Sequence, residues 1–99
     1  MDKCAKLVRD KIPGIVSRGE IKLLRDKNEI EDFLLQKIVE EANELLEARN
    51  IEEAVDLYEA LRTWLKLKGL TIKELEEYAE AKKEKRGGFD KFYAWIYEC

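Results

Sequence analysis

The sequence predicts an all-α domain, in which an antiparallel hairpin of two long helices is followed by a third helix and flanked by short terminal strands. The chain has one proline and five glycines in 99 residues and is 41% charged, and its abundant Glu, Lys, Leu and Ala favour helices. Apolar residues recur with helical spacing through the middle of the chain. This length forms one domain, residues 1–99.

The N-terminal part is expected to hold a short helix and a short strand. Pro13 is tolerated in a first helical turn, and Gly19 can end that turn. Residues 20–24 ("EIKLL") are a candidate strand.

The two long helices should form a hairpin around Asn50. The first is expected from about residue 28 to residue 49, with Asn28 as its N-cap and Asn50 as a left-handed stop. The second should run from about residue 51 to residue 68 and end at Gly69. So short a connection makes the helices antiparallel neighbours.

The third helix carries its own start signal. Thr71 and Glu74 form a T-x-x-E pattern, which predicts a capping box. The helix should end at "RGG", residues 86–88. After it, residues 92–98 ("FYAWIYE") alternate aromatic and smaller side chains and predict a terminal strand.

Carboxylates fall on the apolar sides of both long helices. The two stripes are Ile30, Leu34, Ile38 and Leu45 on the first helix and Leu57, Ala60, Leu61 and Trp64 on the second. Glu41 lies inside the first stripe with Glu44 at its edge. Glu53 lies inside the second stripe, and Asp56 is at its margin. Four acidic groups are therefore predicted to face the interface between the helices.

Such a group needs compensating positive charge, because a buried carboxylate costs several kcal/mol unless it is neutralised. Lys37 shares this side of the helix but cannot balance four negative charges. Oxygen ligands at i and i+3 suit Mg²⁺, with Mn²⁺ as an alternative. A di-iron or zinc site is disfavoured because the chain has no histidine. An ordinary solvated helix face stays the competing interpretation.

Three motifs together resemble the MazG-like, all-α nucleoside triphosphate pyrophosphohydrolases, a superfamily that includes phosphoribosyl-ATP pyrophosphohydrolase and the dimeric dUTPases. The first motif, E-E-x-x-E followed by E-x-x-D, is matched by Glu40, Glu41, Glu44, Glu53 and Asp56. The second and third are "KLVRDKIP" at residues 6–13 and "RGGF" at residues 86–89. The chain departs from many members in the short segment 45–52, which leaves the nucleotide base open.

The resemblance implies hydrolysis of a nucleoside triphosphate to a monophosphate and pyrophosphate. Glu41, Glu44, Glu53 and Asp56 would hold Mg²⁺, and Glu40 would be a further ligand or would orient the attacking water. Lys37 would act with Glu40 and Glu41 in catalysis, although a salt bridge from Lys37 to Glu41 is an equal alternative. The candidate phosphate-binding residues are Arg9, Lys11, Lys82, Lys85 and Arg86.

Charge and cysteine content restrict the partners and the compartment. The net charge is −3 and basic residues alternate with acidic ones, which argues against nucleic acid. No apolar run suits a signal peptide or a membrane span, so we expect a soluble cytoplasmic protein. Cys4 and Cys99 are expected to be free thiols, although terminal strands that paired would allow a bridge.

Assembly and function are expected as follows. A chain of this size has too little surface to cover a carboxylate-lined face, so a homodimer or homotetramer would complete a four-helix core. The expected activity is Mg²⁺-dependent pyrophosphohydrolysis that clears noncanonical nucleotides. Phosphoribosyl-ATP hydrolysis in histidine biosynthesis and a non-catalytic oligomerising or regulatory module stay open as alternatives.

Overall fold

The structure, a computed structural model, describes residues 4–98 and is all-helical. A short 3₁₀ turn, Ile12–Gly14, precedes the helices α1 (Lys27–Ala48), α2 (Ile51–Leu67) and α3 (Ile72–Arg86). The all-α class and the three helices are therefore confirmed. Pro13 does lie in a first helical turn, but that turn ends well before Gly19.

The two predicted strands are wrong. Residues 20–24 and 92–98 have no regular secondary structure, and the part of the chain that the structure describes contains no strand. Neither segment makes backbone hydrogen bonds to another segment there. A strand needs a neighbour for its N–H and C=O groups, so strand-forming side chains alone did not create one.

The hairpin begins and turns at slightly different residues from those predicted. Asp26, rather than Asn28, caps α1, and its carboxylate accepts a hydrogen bond from the Asn28 amide at 2.8 Å. Arg49 takes the left-handed conformation at φ 54° that was expected of Asn50. Asn50 instead caps α2 by accepting a hydrogen bond from the Glu53 amide at 3.1 Å, because its side chain serves the new helix better than the old one.

The junction between α2 and α3 agrees with the sequence. Gly69 has φ 77° and follows α2, and the Leu70 amide donates to the Leu65 carbonyl at 2.8 Å, as in a Schellman ending. The capping box of Thr71 and Glu74 is formed in both directions. The end of α2 and the start of α3 could be predicted from the sequence because both depend on neighbouring residues alone.

The core lies between α1 and α2 and is small. Leu34 and Leu65 are almost completely buried, Ala60 is buried, and Glu41 is buried beside them with 8% of its surface exposed. Within residues 4–98, α1 and α2 pack along each other, whereas α3 makes at most marginal contact with other elements. The radius of gyration is 17.1 Å, compared with about 13 Å for a compact chain of this length. The hairpin is therefore the structural unit that positions the site.

Glu31 links the start of α1 to the end of α2. Its carboxylate accepts a hydrogen bond from the Trp64 indole at 3.0 Å and pairs with the Lys68 ammonium at 2.6 Å. The Lys68 contact and then the Trp64 hydrogen bond lower the pKa of Glu31. A lowered carboxyl pKa stabilises the fold above the ordinary pKa of the group, and this stabilisation is lost as the pH falls through the lowered value.

We expect Glu31→Gln to lower the midpoint of thermal unfolding at pH 7 by a few degrees, because Lys68 loses its partner. Asp32→Asn, an exposed neighbour on α1, should change the midpoint much less. The difference between Glu31→Gln and the parent should shrink below the pKa of Glu31, which circular dichroism melts from pH 7 to pH 3 would measure. A difference that stayed constant over this range would contradict the assignment.

Candidate metal centre

Three carboxylates converge between the helices of the hairpin. Glu41 comes from α1, and Glu53 and Asp56 come from one side of α2, where their i, i+3 spacing aligns them. One oxygen from each of the three lies within 4.8 Å of the other two. Glu41 is buried, and the other two are half-buried. The predicted convergence is therefore confirmed for these three residues, while their binding of a metal stays a prediction.

Glu44 is placed differently from the other predicted ligands. It is exposed on α1, and its oxygens are not part of the group formed by Glu41, Glu53 and Asp56. Its charge nevertheless reaches Glu53 and helps to raise the pKa of that residue. Its position at the edge of the apolar stripe explains this, because a side chain there can turn either inward or toward solvent.

The three carboxylates fit a hard divalent cation. They offer oxygen atoms alone, which Mg²⁺, Mn²⁺ and Ca²⁺ prefer and zinc does not. Oxygens on one octahedral Mg²⁺ lie about 3 to 4 Å apart, given ligand distances of about 2.1 Å. The separations of up to 4.8 Å therefore require only small side-chain rotations to reach that geometry. The donor set does not select one of these ions over the others.

Two lysines pair with the neighbouring carboxylates Glu40 and Glu41 of α1. The Lys37 ammonium lies 3.2 Å from a Glu41 oxygen and 3.3 Å from a Glu40 oxygen. Lys6 pairs with Glu40 at 3.5 Å. These contacts make Lys37 a bridge between a buried and a half-buried carboxylate, so the salt bridge proposed for it as an alternative role is present.

Arg9 extends from the N-terminal segment to the carboxylates of α2. Its guanidinium lies 2.5 Å from a carboxylate oxygen of Asp56. It was predicted to bind phosphate, and here it binds one of the predicted metal ligands. Glu53, by contrast, has no basic partner within residues 4–98. Positive charge is thus supplied to Glu41 and Asp56 but not to the third member of the group.

The N-terminal segment and the hairpin enclose a cavity beside the carboxylates. Its volume is about 490 Å³, which is within the usual range for small-molecule sites. Residues 7–11 line one wall, and Lys37, Glu41 and Asp56 lie on the hairpin side. Basic and acidic groups therefore share one concave space, as recognition of an anion together with a cation requires.

The basic residues of α3 lie elsewhere. Lys82, Lys85 and Arg86 line a shallow groove on α3 with Tyr78, and they do not line the carboxylate cavity of the same chain. Of the five predicted phosphate-binding residues, Arg9 and Lys11 are the two that line that cavity. Because α3 makes at most marginal contact with the other described elements, packing does not hold its basic end at the site within one chain.

Three residues near the site were not among those predicted from the sequence. Lys6 pairs with Glu40, although it lies within the quoted motif "KLVRDKIP". Glu59 and Thr63 also line the cavity. The signal for both was available, because Glu59 lies three residues and Thr63 seven residues after Asp56 on the same side of α2.

Glu53 is the carboxylate whose charge is least compensated. Burial raises its pKa, and the charges of Asp56, Glu44 and Glu41 raise it further. A carboxyl group with a raised pKa in the folded state destabilises the fold when ionised, and this effect disappears as the pH falls through the raised value. A cation at this position would remove the same destabilisation at neutral pH.

Comparisons with known proteins leave the family unassigned. The chain matches no protein-family model, and no curated protein and no solved structure is significantly similar to it. The resemblance to the MazG-like superfamily therefore stays a prediction that depends on its motifs.

Two further expectations concern the membrane and the cysteines. Among the helices within residues 4–98, none combines the length and the apolar character needed to cross a bilayer. Cys4 is exposed, whereas Cys99 lies outside the described residues, so the expected pair of free thiols, with a bridge as the alternative, stays a prediction.

We expect Glu53→Gln to raise the midpoint of thermal unfolding by a few degrees at pH 7 in buffer with EDTA, because one uncompensated charge is removed. Added Mg²⁺ or Mn²⁺ should stabilise the parent and should stabilise this variant much less. Glu52→Gln, an exposed neighbour on α2, is the matched control and should keep the metal response. Equal metal responses of all three proteins in differential scanning calorimetry would exclude Glu53 as a ligand.

Proposed function

We propose that this chain is a Mg²⁺-dependent nucleoside triphosphate pyrophosphohydrolase that produces a nucleoside monophosphate and pyrophosphate. The observation that carries this proposal is the convergence of Glu41, Glu53 and Asp56 beside a cavity that also holds Lys37 and Arg9. Cation ligands and anion-binding groups in one cavity are what hydrolysis of a phosphoric anhydride needs. The motifs "KLVRDKIP" and "RGGF", which lie outside these carboxylates and resemble the MazG-like superfamily, provide further support.

The proposed reaction adds one water molecule across a phosphoric anhydride bond. The water oxygen bonds to the α-phosphorus, the bond from that phosphorus to the bridging oxygen breaks, and pyrophosphate leaves with the bridging oxygen. A divalent cation held by Glu41, Glu53 and Asp56 would neutralise phosphate charge and lower the pKa of the water. Glu44 is proposed as a further ligand that turns inward from its exposed position.

Glu40 is proposed to orient the attacking water and to accept its proton. It lies outside the three-carboxylate group yet shares Lys37 with Glu41. Lys37 and Lys6 hold the Glu40 side chain between them, and a positioned carboxylate can serve as a general base. Lys37 is proposed to position both carboxylates through its two ion pairs and to stabilise negative charge that develops on the phosphate.

Arg9 and Lys11 are proposed to bind the phosphates. Both line the cavity wall that faces the carboxylates, and a guanidinium matches two phosphate oxygens at once. The Arg9 side chain is half-exposed, so it can rotate from Asp56 to a substrate without leaving a buried charge behind. The bound anion would take the place of Asp56 as its partner.

Assembly into a homodimer or homotetramer is part of this proposal. The single chain buries few apolar side chains fully, and large apolar side chains of α2 stay exposed. A second hairpin would cover them and complete a four-helix core. In such an assembly Lys82, Lys85 and Arg86 of one copy would be free to approach the site of another copy.

We expect Glu41→Gln to abolish pyrophosphate release, with a loss of at least about 100-fold in kcat, because a metal ligand is removed while the fold is kept. Glu47→Gln, exposed on the same helix, should retain parental activity. The assay should include the common and noncanonical triphosphates and phosphoribosyl-ATP, which distinguishes the two enzymatic alternatives. Parental turnover by Glu41→Gln would contradict the proposal, and no turnover by the parent would favour a non-catalytic module.

We expect Arg9→Ala to have opposite effects on the two ligands. Because Arg9 competes with a cation for Asp56, its loss should tighten Mn²⁺ binding by about two- to fivefold, as for an exposed ion pair. Its loss should also raise KM for the triphosphate by about tenfold, since a charge-assisted hydrogen bond to phosphate is removed. Calorimetric titration and steady-state kinetics measure the two effects, with Arg18→Ala as the control. Weaker Mn²⁺ binding in Arg9→Ala would contradict the competition.

A further inference from the structure

We infer that residues 92–98, here called the C-terminal arm, bind the exposed apolar side of α1 in a second copy of this chain. This inference rests on the homo-oligomer in the proposed function and specifies which surfaces join. It explains why the sequence pattern of a strand is present while the strand itself is not.

The C-terminal arm exposes an unusual amount of apolar surface. Five of its side chains are largely exposed, with Trp95 at 84%, and they are Phe92, Tyr93, Trp95, Ile96 and Tyr97. Large side chains of this type bury about 150–250 Å² each when covered. The three aromatic side chains that share one side of an extended arm, Tyr93, Trp95 and Tyr97, can therefore bury about 450–750 Å² together. Exposed apolar patches of that size mark interaction sites.

The arm also carries unpaired backbone groups. Beyond the turn that joins the Phe92 amide to the Phe89 carbonyl, the arm makes no backbone hydrogen bond within residues 4–98. The rings of Trp95 and Tyr97 lie 4.6 Å apart, so these residues, two apart in sequence, share one side as in an extended chain. The segment thus presents an aromatic row to a surface outside its own backbone.

The receiving surface is a second apolar stripe on α1. Leu35, Val39 and Leu46 are exposed there, at 42%, 60% and 66%. At about 100° per residue, this stripe lies on the side of α1 roughly opposite Lys37 and Glu41, which line the cavity. An arm bound to the stripe would therefore leave the carboxylate cavity open to substrate.

The two surfaces match in length. Seven extended residues span about 23 Å at about 3.3 Å each. The distance along α1 from Leu35 to Leu46 is about 16 Å at a rise of about 1.5 Å per residue. Four or five residues of the arm therefore cover the stripe, and the remainder can contact the neighbouring part of the copy.

A second copy accounts for both surfaces together. In one chain the arm and the stripe are both exposed, and the radius of gyration of 17.1 Å exceeds the compact value of about 13 Å. A twofold exchange places each arm on the stripe of the other copy and buries both arms at once. Each copy then buries one arm and one stripe, so the two copies together reach about the 1,600 Å² of a stable specific interface.

The first experiment measures self-association by sedimentation equilibrium with the full-length chain. The double variant Trp95→Ser/Tyr97→Ser should raise the dissociation constant at least about 100-fold, because two large apolar side chains on one side of the arm leave the interface. Ile15→Ser/Tyr78→Ser removes two comparably exposed apolar side chains elsewhere and should change it less than threefold. An unchanged dissociation constant for the arm variant would overturn the inference.

The second experiment tests whether arm and stripe meet between copies. Val39→Lys disrupts the stripe on a full-length chain, and each disrupted chain alone should associate weakly. A mixture of Val39→Lys with Trp95→Ser/Tyr97→Ser restores one intact arm and one intact stripe, so the two differently tagged chains should associate at least tenfold more tightly with each other than with themselves. Equal weakness of the mixture and of the separate variants would overturn the inference.

These outcomes separate the inference from the proposed function. A parent that stays monomeric at all concentrations would overturn both the arm contact and the proposed assembly. A parental oligomer that the arm variant leaves intact would overturn the arm contact alone. An intact arm-dependent oligomer without pyrophosphate release would leave the inference standing and remove the proposed activity.

Discussion

The structure depends on an acidic side chain at the place where two helices pack. Glu41 is buried between α1 and α2 next to the positions that Leu34 and Ala60 fill, where an apolar residue would be more stabilising by itself. A buried carboxylate is retained only if positive charge neutralises it. Lys37 supplies part of that charge at 3.2 Å, and Glu53 and Asp56 then add further negative charge to the same place. The negative charge at this site is therefore only partly neutralised by basic side chains of the same chain.

Ion pairs with these carboxylates hold the N-terminal segment against the hairpin. Arg9 reaches Asp56 and Lys6 reaches Glu40, so residues 6–11 cover the carboxylates although they form no helix or strand. The two contacts are exposed ion pairs, which contribute little stability each. A segment fastened in this way can exchange its partners when a cation and an anion enter together. The same charges therefore serve both the positioning of the segment and the proposed recognition of a substrate.

The sequence was most informative where a structural feature depends on neighbouring residues or on one helical face. The capping box at Thr71 and the convergence of Glu41 with Glu53 and Asp56 follow from spacing alone. The strand at residues 92–98 was wrong because strand formation depends on a neighbour that spacing cannot supply. The contact of Arg9 with Asp56 joins residues 47 positions apart, and no local pattern specifies which of several carboxylates an arginine selects.

The candidate metal site and the surface proposed for assembly lie on different sides of α1. Lys37 and Glu41 line the cavity, whereas Leu35 and Val39 lie on the far side and are exposed. Because one helix carries both, any contact that covers the apolar side also holds in place the backbone that presents the carboxylates. The hairpin gains little rigidity from its small core, since Leu34 and Leu65 are its two almost fully buried large side chains in the described part of the chain. Association between copies would then supply the packing that keeps three like charges within 4.8 Å of one another. In the proposed assembly, the geometry of the site and the stability of the fold would therefore both depend on the contact between copies.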